Sequence, residues 1–292
     1  MPDRVEIFEV GPRDGLQNEP RAIPVAEKIA LIDLLSGAGF RRIEAASFVR
    51  PERVPQMADG AEVLAGIRRA PGLRYAALTP NIRGYDRARA AGADEIAIFA
   101  SASEGFSRAN INASVDESLR RFAPVAVAAR ADGLPMRGYI SCVTDCPYDG
   151  PTPPGAVAAL AERLLALGCY GISLGDTLGS ATPETVGAVL RAVLAVAPPE
   201  RFAGHFHDTG GRAMANIEVA LEAGLRVFDA AVGGLGGCPF ARGAPGNVAT
   251  ERVAARLAAL GLRTGLDPDR LAEAAGFARR MRGGPSGAGS FA

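Results

Sequence analysis

Leu167-Gly168-Cys169-Tyr170-Gly171-Ile172-Ser173-Leu174-Gly175 joins two kinds of chain. Behind it, residues 154–167 form an Ala/Leu stretch of helical period; ahead, residues 171–175 are short and apolar, as a buried strand is. Gly168 stands where the helix closes, a position that favours a left-handed residue and so glycine. The same junction recurs as Ala38-Gly39-Phe40, Ala91-Gly92-Ala93 and Ala223-Gly224-Leu225. Outward from these junctions, strand-like runs cover residues 5–10, 42–47, 74–78, 95–100, 137–143, 171–175, 202–207 and 227–232. The glycine junctions precede the second, fourth, sixth and eighth of these runs, and helical stretches such as 183–196 and 212–222 separate others. Eight strands alternating with helices in 292 residues predict an α/β chain folded as a (β/α)8 TIM barrel. The barrel is expected over residues 1–263. A short C-terminal extension over 264–292 should add one or two helices and fray near residues 282–287. No Gly-x-Gly-x-x-Gly turn follows the first run, so nothing favours a dinucleotide fold.

Acids and bases balance at 32 each, which offers no field to nucleic acid or to an anionic membrane surface. No apolar run approaches the roughly 18 residues of a membrane span. The N-terminus enters a strand-like pattern without a signal-peptide apolar region, so a cytoplasmic protein is expected. Cys142, Cys146 and Cys169 read as buried or loop thiols, since no metal-ligand spacing surrounds them. Lysine occurs once, at Lys28, on what the helical pattern makes a polar face. Any Schiff-base mechanism would depend on that residue, so imine aldolase and pyridoxal chemistry are not expected.

In a barrel, function belongs at the C-terminal ends of the strands. Polar residues collect there: Arg13, Asp14 and Gln17 after the first run, Glu44 and Ser47 on the second, Tyr139 and Ser141 on the fifth, Ser173 and Asp176 on the sixth. The seventh run carries His205 and His207, the only two histidines in the chain. Residues two apart on a strand point to one side, so both imidazoles can meet one object, and a metal ion is the usual one. The eighth run leads into Gly233-Gly234-Leu235-Gly236-Gly237-Cys238-Pro239-Phe240 and then Gly246-Asn247. An apolar barrel core does not need so many polar groups at one end.

With these stretches in order, the chain resembles the 3-hydroxy-3-methylglutaryl-CoA lyase family of the DRE-type metal-dependent TIM-barrel superfamily. The resemblance runs from Glu9-Val10-Gly11-Pro12-Arg13-Asp14-Gly15-Leu16-Gln17-Asn18-Glu19 to Ala244-Pro245-Gly246-Asn247-Val248-Ala249-Thr250-Glu251. Gly234-Leu235-Gly236-Gly237-Cys238-Pro239 matches the family's signature loop, and Ser173-Leu174-Gly175-Asp176-Thr177 and His205-Phe206-His207-Asp208-Thr209 match as well. The resemblance implies Asp14, His205, His207 and Asn247 as ligands of a divalent cation, Mg²⁺ or Mn²⁺, in an open mixed O/N site. It implies Arg13 opposite the thioester carbonyl and Cys238 as proton donor within a loop that closes over the site. Glu44 and Asp176 would hold metal waters and tune proton transfer. Gln17, Ser47, Tyr139 and Ser173 would line the substrate pocket, and Glu251 would brace the barrel.

The implied reaction is cleavage of (S)-3-hydroxy-3-methylglutaryl-CoA to acetyl-CoA and acetoacetate, in leucine breakdown or ketone-body formation. No pyridoxal phosphate, nicotinamide or biotin is expected. A CoA thioester would be the substrate, and a homo-oligomer, a dimer or larger, the assembly. Ala45-Ala46 stand where animal members carry threonines, Phe240 replaces a loop tyrosine, and Gly210-Gly211 replaces Tyr-Gly. These changes leave room for another branched substrate, such as an isohexenylglutaryl or citramalyl thioester. An isopropylmalate or homocitrate synthase would be expected to carry further C-terminal domains. The reading from another class is a non-catalytic barrel that binds metal or CoA.

Overall fold

Gly39, Gly92, Gly168 and Gly224 take positive φ angles of 93°, 79°, 111° and 99°. Each lies just past a helix end, where the left-handed turn redirects the chain into a strand. The structure, a computed structural model, describes residues 3–238 and 241–282, with the backbone alone over 237–238 and 241–245. The barrel strands are β1 (Glu6–Glu9), β2 (Arg42–Ser47), β3 (Arg74–Leu78), β4 (Glu95–Ser101), β5 (Met136–Ser141), β6 (Gly171–Asp176), β7 (Phe202–Phe206) and β8 (Val227–Ala230). They pair in parallel in chain order, and β8 closes the barrel on β1. The expected TIM barrel is what the chain forms.

The helices are α1 (Val25–Ser36), α2 (Gly60–Gly66), α3 (Ile82–Ala90), α4 (Glu104–Ile111), α5 (Val115–Asp132), α6 (Pro154–Leu167), α7 (Pro183–Leu194), α8 (Ala213–Glu222), α9 (Thr250–Ala259) and α10 (Pro268–Arg282). Local chemistry starts several of them. Ser114 and Thr182 open α5 and α7 with reciprocal side-chain-to-backbone capping, and the Asn81 and Ser103 side chains cap α3 and α4. Among the described residues the C-terminal extension is the single helix α10, packed on α1 and α9. Residues 283–287, expected to fray, lie outside the described set.

Side-chain alternation divides each strand between two layers. Ile7, Ile43, Ile140, Ile172, Leu174, Phe202, Phe206 and Phe228 pack outward against the helices. The opposite positions, Phe8, Ala76, Leu78, Ala97 and Tyr139, fill the barrel interior in small separate clusters. Charged residues share that interior: Arg137 on β5 and Asp229 on β8 are both about 2% exposed and joined at 2.6 Å.

One strand breaks the alternation. The β2–β3 register shifts between Glu44 and Ala46, and Ala45 and Ala46 both pack outward with the helices. This bulge adds a residue to the outer face, so Ser47 comes round to the interior side that Glu44 occupies.

Candidate metal centre

β1 ends because the carbonyl oxygen of Val10 accepts the N–H groups of Arg13, Asp14 and Gly15 at 3.2, 2.8 and 3.2 Å. The result is a single π-helical turn, Gly11–Gly15, of a kind frequent at functional sites. It presents Arg13 and Asp14 side by side at the barrel mouth. Gly15 has no substitute here, since a Cβ would stand 2.7 Å from that of Leu235.

His205 lies within β7, and His207 follows one residue past its end, bridged antiparallel to Asn247. The two imidazoles share a side, as the spacing required, with their Nε2 atoms 3.2 Å apart. Asp14 completes a cluster whose candidate ligand atoms all lie within 4.8 Å of one another. Asn247 joins through its Nδ2, which donates to Asp14 Oδ2 at 2.9 Å. The structure therefore brings all four expected ligands together.

Hydrogen bonding decides which imidazole nitrogens are available. His207 Nδ1 lies 3.1 Å from the carbonyl oxygen of Thr177, which can only accept. His205 Nδ1 lies 3.1 Å from Asp229 Oδ2. Burial raises Asp229's proton affinity, but Arg137, then His205 and Ser173, outweigh it and hold the carboxyl well below the usual range. Asp229 is thus a carboxylate and accepts too. Both Nδ1 atoms donate, so both Nε2 lone pairs face each other beside Asp14. Such a set repels itself unless a proton or a cation lies among the donors, and a divalent cation fits it. Burial, followed by the neighbouring His205, pushes His207 down to about 4, so it stays neutral, as a ligand must. For Asp14, burial is outweighed by Arg13, the two histidines and Asn247, which hold it at about 2.

Arg13 is 5% exposed and engages two carboxylates, Glu44 Oε2 through Nε at 2.6 Å and Asp14 Oδ1 through Nη1 at 2.7 Å. Its guanidinium lies 5.6 Å from the centre of the Tyr139 ring, which stands nearly perpendicular to the His205 ring at 6.4 Å between centres. Among the described residues Glu44 Oε1 and Ser47 Oγ are buried without a hydrogen-bond partner. Two orphaned polar atoms on the interior side of β2 mark a place for a polar ligand. Burial raises Glu44's proton affinity more than Arg13 lowers it.

Other expected site residues stand apart from this cluster. Ser173 Oγ donates to Asp229 Oδ2 at 2.6 Å. Asp176 turns its carboxylate to the backbone N–H groups of Gly179 and Ala181, at 3.0 and 3.2 Å, and burial lifts it to about 6. Gln17 lines a cavity of about 570 Å³ with Glu19, Arg53 and Asp59. Glu251 links the Gly233 N–H to Arg279 of α10. Cys238 belongs to a hairpin, Gly237–Cys238 against Ala241–Pro245, whose base is the Gly246 N–H bond to the Gly236 oxygen. The Cys238 side chain, and Phe240 with its place in the loop, lie outside the described residues.

Lys28 corrects the sequence reading. It is buried, with Nζ 2.7 Å from Asp59 Oδ2 and bonded to the Gln56 carbonyl, because α2 and the segment before it pack over that face of α1. Cys142, Cys146 and Cys169 are buried free thiols, as expected. Sequence reasoning passed over Arg137 and Asp229, although a charge inside the run Val227-Phe228-Asp229-Ala230 was a visible signal.

Fold and site define a class: a TIM barrel with a candidate divalent-cation centre at the C-terminal mouth of its strands. A family model described as HMGL-like matches residues 4–277, and the chain belongs to that family. It is 54% identical to the mitochondrial hydroxymethylglutaryl-CoA lyase of Bos taurus over 277 residues, 95% of this chain and 85% of that protein. It is also 54% identical to the 3-hydroxy-3-isohexenylglutaryl-CoA/hydroxy-methylglutaryl-CoA lyase of Pseudomonas aeruginosa over 274 residues, 94% of this chain and 91% of that one. The crystal structure of the HMG-CoA lyase from Brucella melitensis superposes with a TM-score of 0.96 at 61% identity, covering 97% of this chain and 100% of that one.

Proposed function

We propose that this chain is a lyase that cleaves (S)-3-hydroxy-3-methylglutaryl-CoA to acetyl-CoA and acetoacetate. The observation that carries the proposal is the Asp14, His205 and His207 cluster beside a buried Arg13. Asp14, His205, His207 and Asn247 would hold Mg²⁺ or Mn²⁺. When bound, the cation supplies Lewis-acid polarisation of the substrate's C3 oxygen.

The remaining chemistry falls to the chain's own side chains. A base takes the C3 hydroxyl proton, the oxygen's electrons form the ketone of acetoacetate as the C2–C3 bond breaks, and the C2–C3 electron pair becomes the thioester enolate of acetyl-CoA. Arg13, permanently charged and fixed by Glu44 and Asp14, stabilises that enolate oxygen. Glu44 can hold a proton at its unpartnered Oε1. Asp176 and Ser173 support the site through the β6 loop and through Asp229. Ser47 and Tyr139 contact substrate around this centre, and Gln17 does so from the cavity it lines. Cys238 returns a proton to C2 of the enolate, a task suited to a thiol with a pKa near 8.5.

Incubation of purified protein with HMG-CoA and Mg²⁺, following acetoacetate, tests the reading; no acetoacetate above a protein-free control rejects it. The two activities of the Pseudomonas aeruginosa relative favour a second substrate, the isohexenylglutaryl thioester. Comparing kcat/KM for the two thioesters decides between them. The same proposal includes a cytoplasmic homo-oligomer serving leucine or ketone-body metabolism, testable by sedimentation and fractionation. No described helix is long and apolar enough to cross a membrane.

A further inference from the structure

We infer that Asp229 is a positioning residue that sets the tautomer and direction of the His205 imidazole, and that Arg137 and Ser173 hold Asp229 in place for that task. The inference deepens, and rests on, the cation-site reading above. Four adjacent strands each contribute one member: Arg137 from β5, Ser173 from β6, His205 from β7 and Asp229 from β8. Asp229 Oδ1 takes Arg137 Nη2 at 2.6 Å. Oδ2 takes both the Ser173 hydroxyl at 2.6 Å and His205 Nδ1 at 3.1 Å. The Asp229 side chain is 0% exposed, so no water competes for these oxygens.

Arg137 is itself confined. Its guanidinium lies 4.2 Å from the centre of the Phe8 ring and 5.0 Å from that of Tyr139, and Nη1 donates to the Tyr139 hydroxyl at 3.3 Å. A planar cation between two rings has little freedom to turn, and the carboxylate it binds inherits that rigidity. An Arg137–Asp229–Ser173 group alone would satisfy the buried charges. The third bond, to His205, has a different consequence. A carboxylate has no hydrogen to give, so His205 Nδ1 must keep its own. The Nε2 lone pair is then directed toward Asp14 and His207. Partners of this kind behind a ligating histidine typically change metal affinity about 10–100-fold when removed.

The test reads the tautomer directly. With only two histidines, a ¹⁵N-histidine sample has two imidazoles to assign. In cation-free wild-type protein, at a pH where both rings are neutral, His205 should carry its proton on Nδ1. Asp229→Asn should lose that single tautomer, bind Mn²⁺ about 10–100-fold more weakly in a calorimetric titration, and leave the His207 signals in place. Ser173→Ala, a milder change, should weaken Mn²⁺ several-fold and covers the case in which Asp229→Asn does not fold. An Nε2-protonated His205 in the wild type overturns the inference without any variant. Mn²⁺ affinity unchanged within about twofold in a folded Asp229→Asn, or in Ser173→Ala if Asp229→Asn does not fold, overturns it as well. Wild-type protein that binds no Mn²⁺ would instead reject the cation site, while the tautomer measurement would still decide the role of Asp229.

Discussion

His205 Nε2 and His207 Nε2 lie 3.2 Å apart, each with its ring's other nitrogen donating to an acceptor on a neighbouring strand or loop. With both rings neutral, two lone pairs are held against each other beside the Asp14 carboxylate; burial lowers the proton affinity of His205, but Asp229 and Asp14 outweigh it and raise it. The fold supplies the constraint, and a shared positive charge relieves it.

Chelation is the direct test of that arrangement. Exhaustive EDTA treatment should abolish acetoacetate formation, and Mg²⁺ or Mn²⁺ should restore it. His207→Ala should bind Mn²⁺ far more weakly in titration while keeping its circular dichroism and melting temperature, since His207 lies past the end of β7. Full turnover after chelation would sink the metal assignment.

Arg13→Lys keeps a charge but loses the fork that holds Glu44 and Asp14 together. Because enolate charge develops only in the transition state, kcat should fall roughly 10²-fold or more with little change in KM. A variant with normal kcat and raised KM would make Arg13 a substrate-binding residue instead.

Cys238→Ser should retain Mn²⁺ and substrate binding but lose most turnover, because a hydroxyl is far less acidic than a thiol. Hydrogen exchange into acetyl-CoA should decline in parallel. Alkylation sites should be mapped by mass spectrometry, with Cys238 the first to react and protected by a substrate analogue. Burial pushes Cys142 and Cys169 up to about 12, so these should react slowly. Cys146 is buried as well, but the Ser103 hydroxyl and two backbone N–H groups outweigh that burial and draw its pKa down. Near wild-type cleavage by Cys238→Ser would require another acid.

Glu9 predicts a pH effect on stability. Burial raises its carboxyl from 4.5 to about 7, against bonds from the Thr250 hydroxyl and the N–H groups of Val232 and Gly11. Between those pH values the folded chain holds a proton that the unfolded chain has released. Stability from this group is therefore complete below pH 4.5 and declines as pH rises through 7, by at most about 1.4 kcal/mol per pH unit. Asp176, lifted to about 6, acts in the same direction over a lower window. In Glu9→Gln, melted in EDTA between pH 5 and 8, the decline should be shallower than in the wild type. Identical slopes would show that Glu9 does not titrate there.

The barrel was legible because its signals are local. A glycine past a helix end, an apolar run of strand length and two histidines one residue apart depend on neighbours in the chain, and each was found as read. The ligand set and Arg13 were reached through family resemblance, and the structure brings those residues to one place. Other features depended on register between distant strands. Ser47 reaches the interior only because β2 bulges at Ala45 and Ala46. Asp176, by unbroken alternation on β6, turns away to cap its own loop. Lys28 is buried against the segment that leads into α2. Asp229 finds Arg137, 92 residues earlier, only when the sheet closes into a barrel. The chain by itself determined which residues form strands and which ends carry polar groups, since period and turn chemistry are properties of a few adjacent residues. Which polar groups meet, and therefore which nitrogen of His205 is left to bind, was decided by barrel closure, because only the tertiary structure puts β5, β6, β7 and β8 within hydrogen-bond reach of one carboxylate.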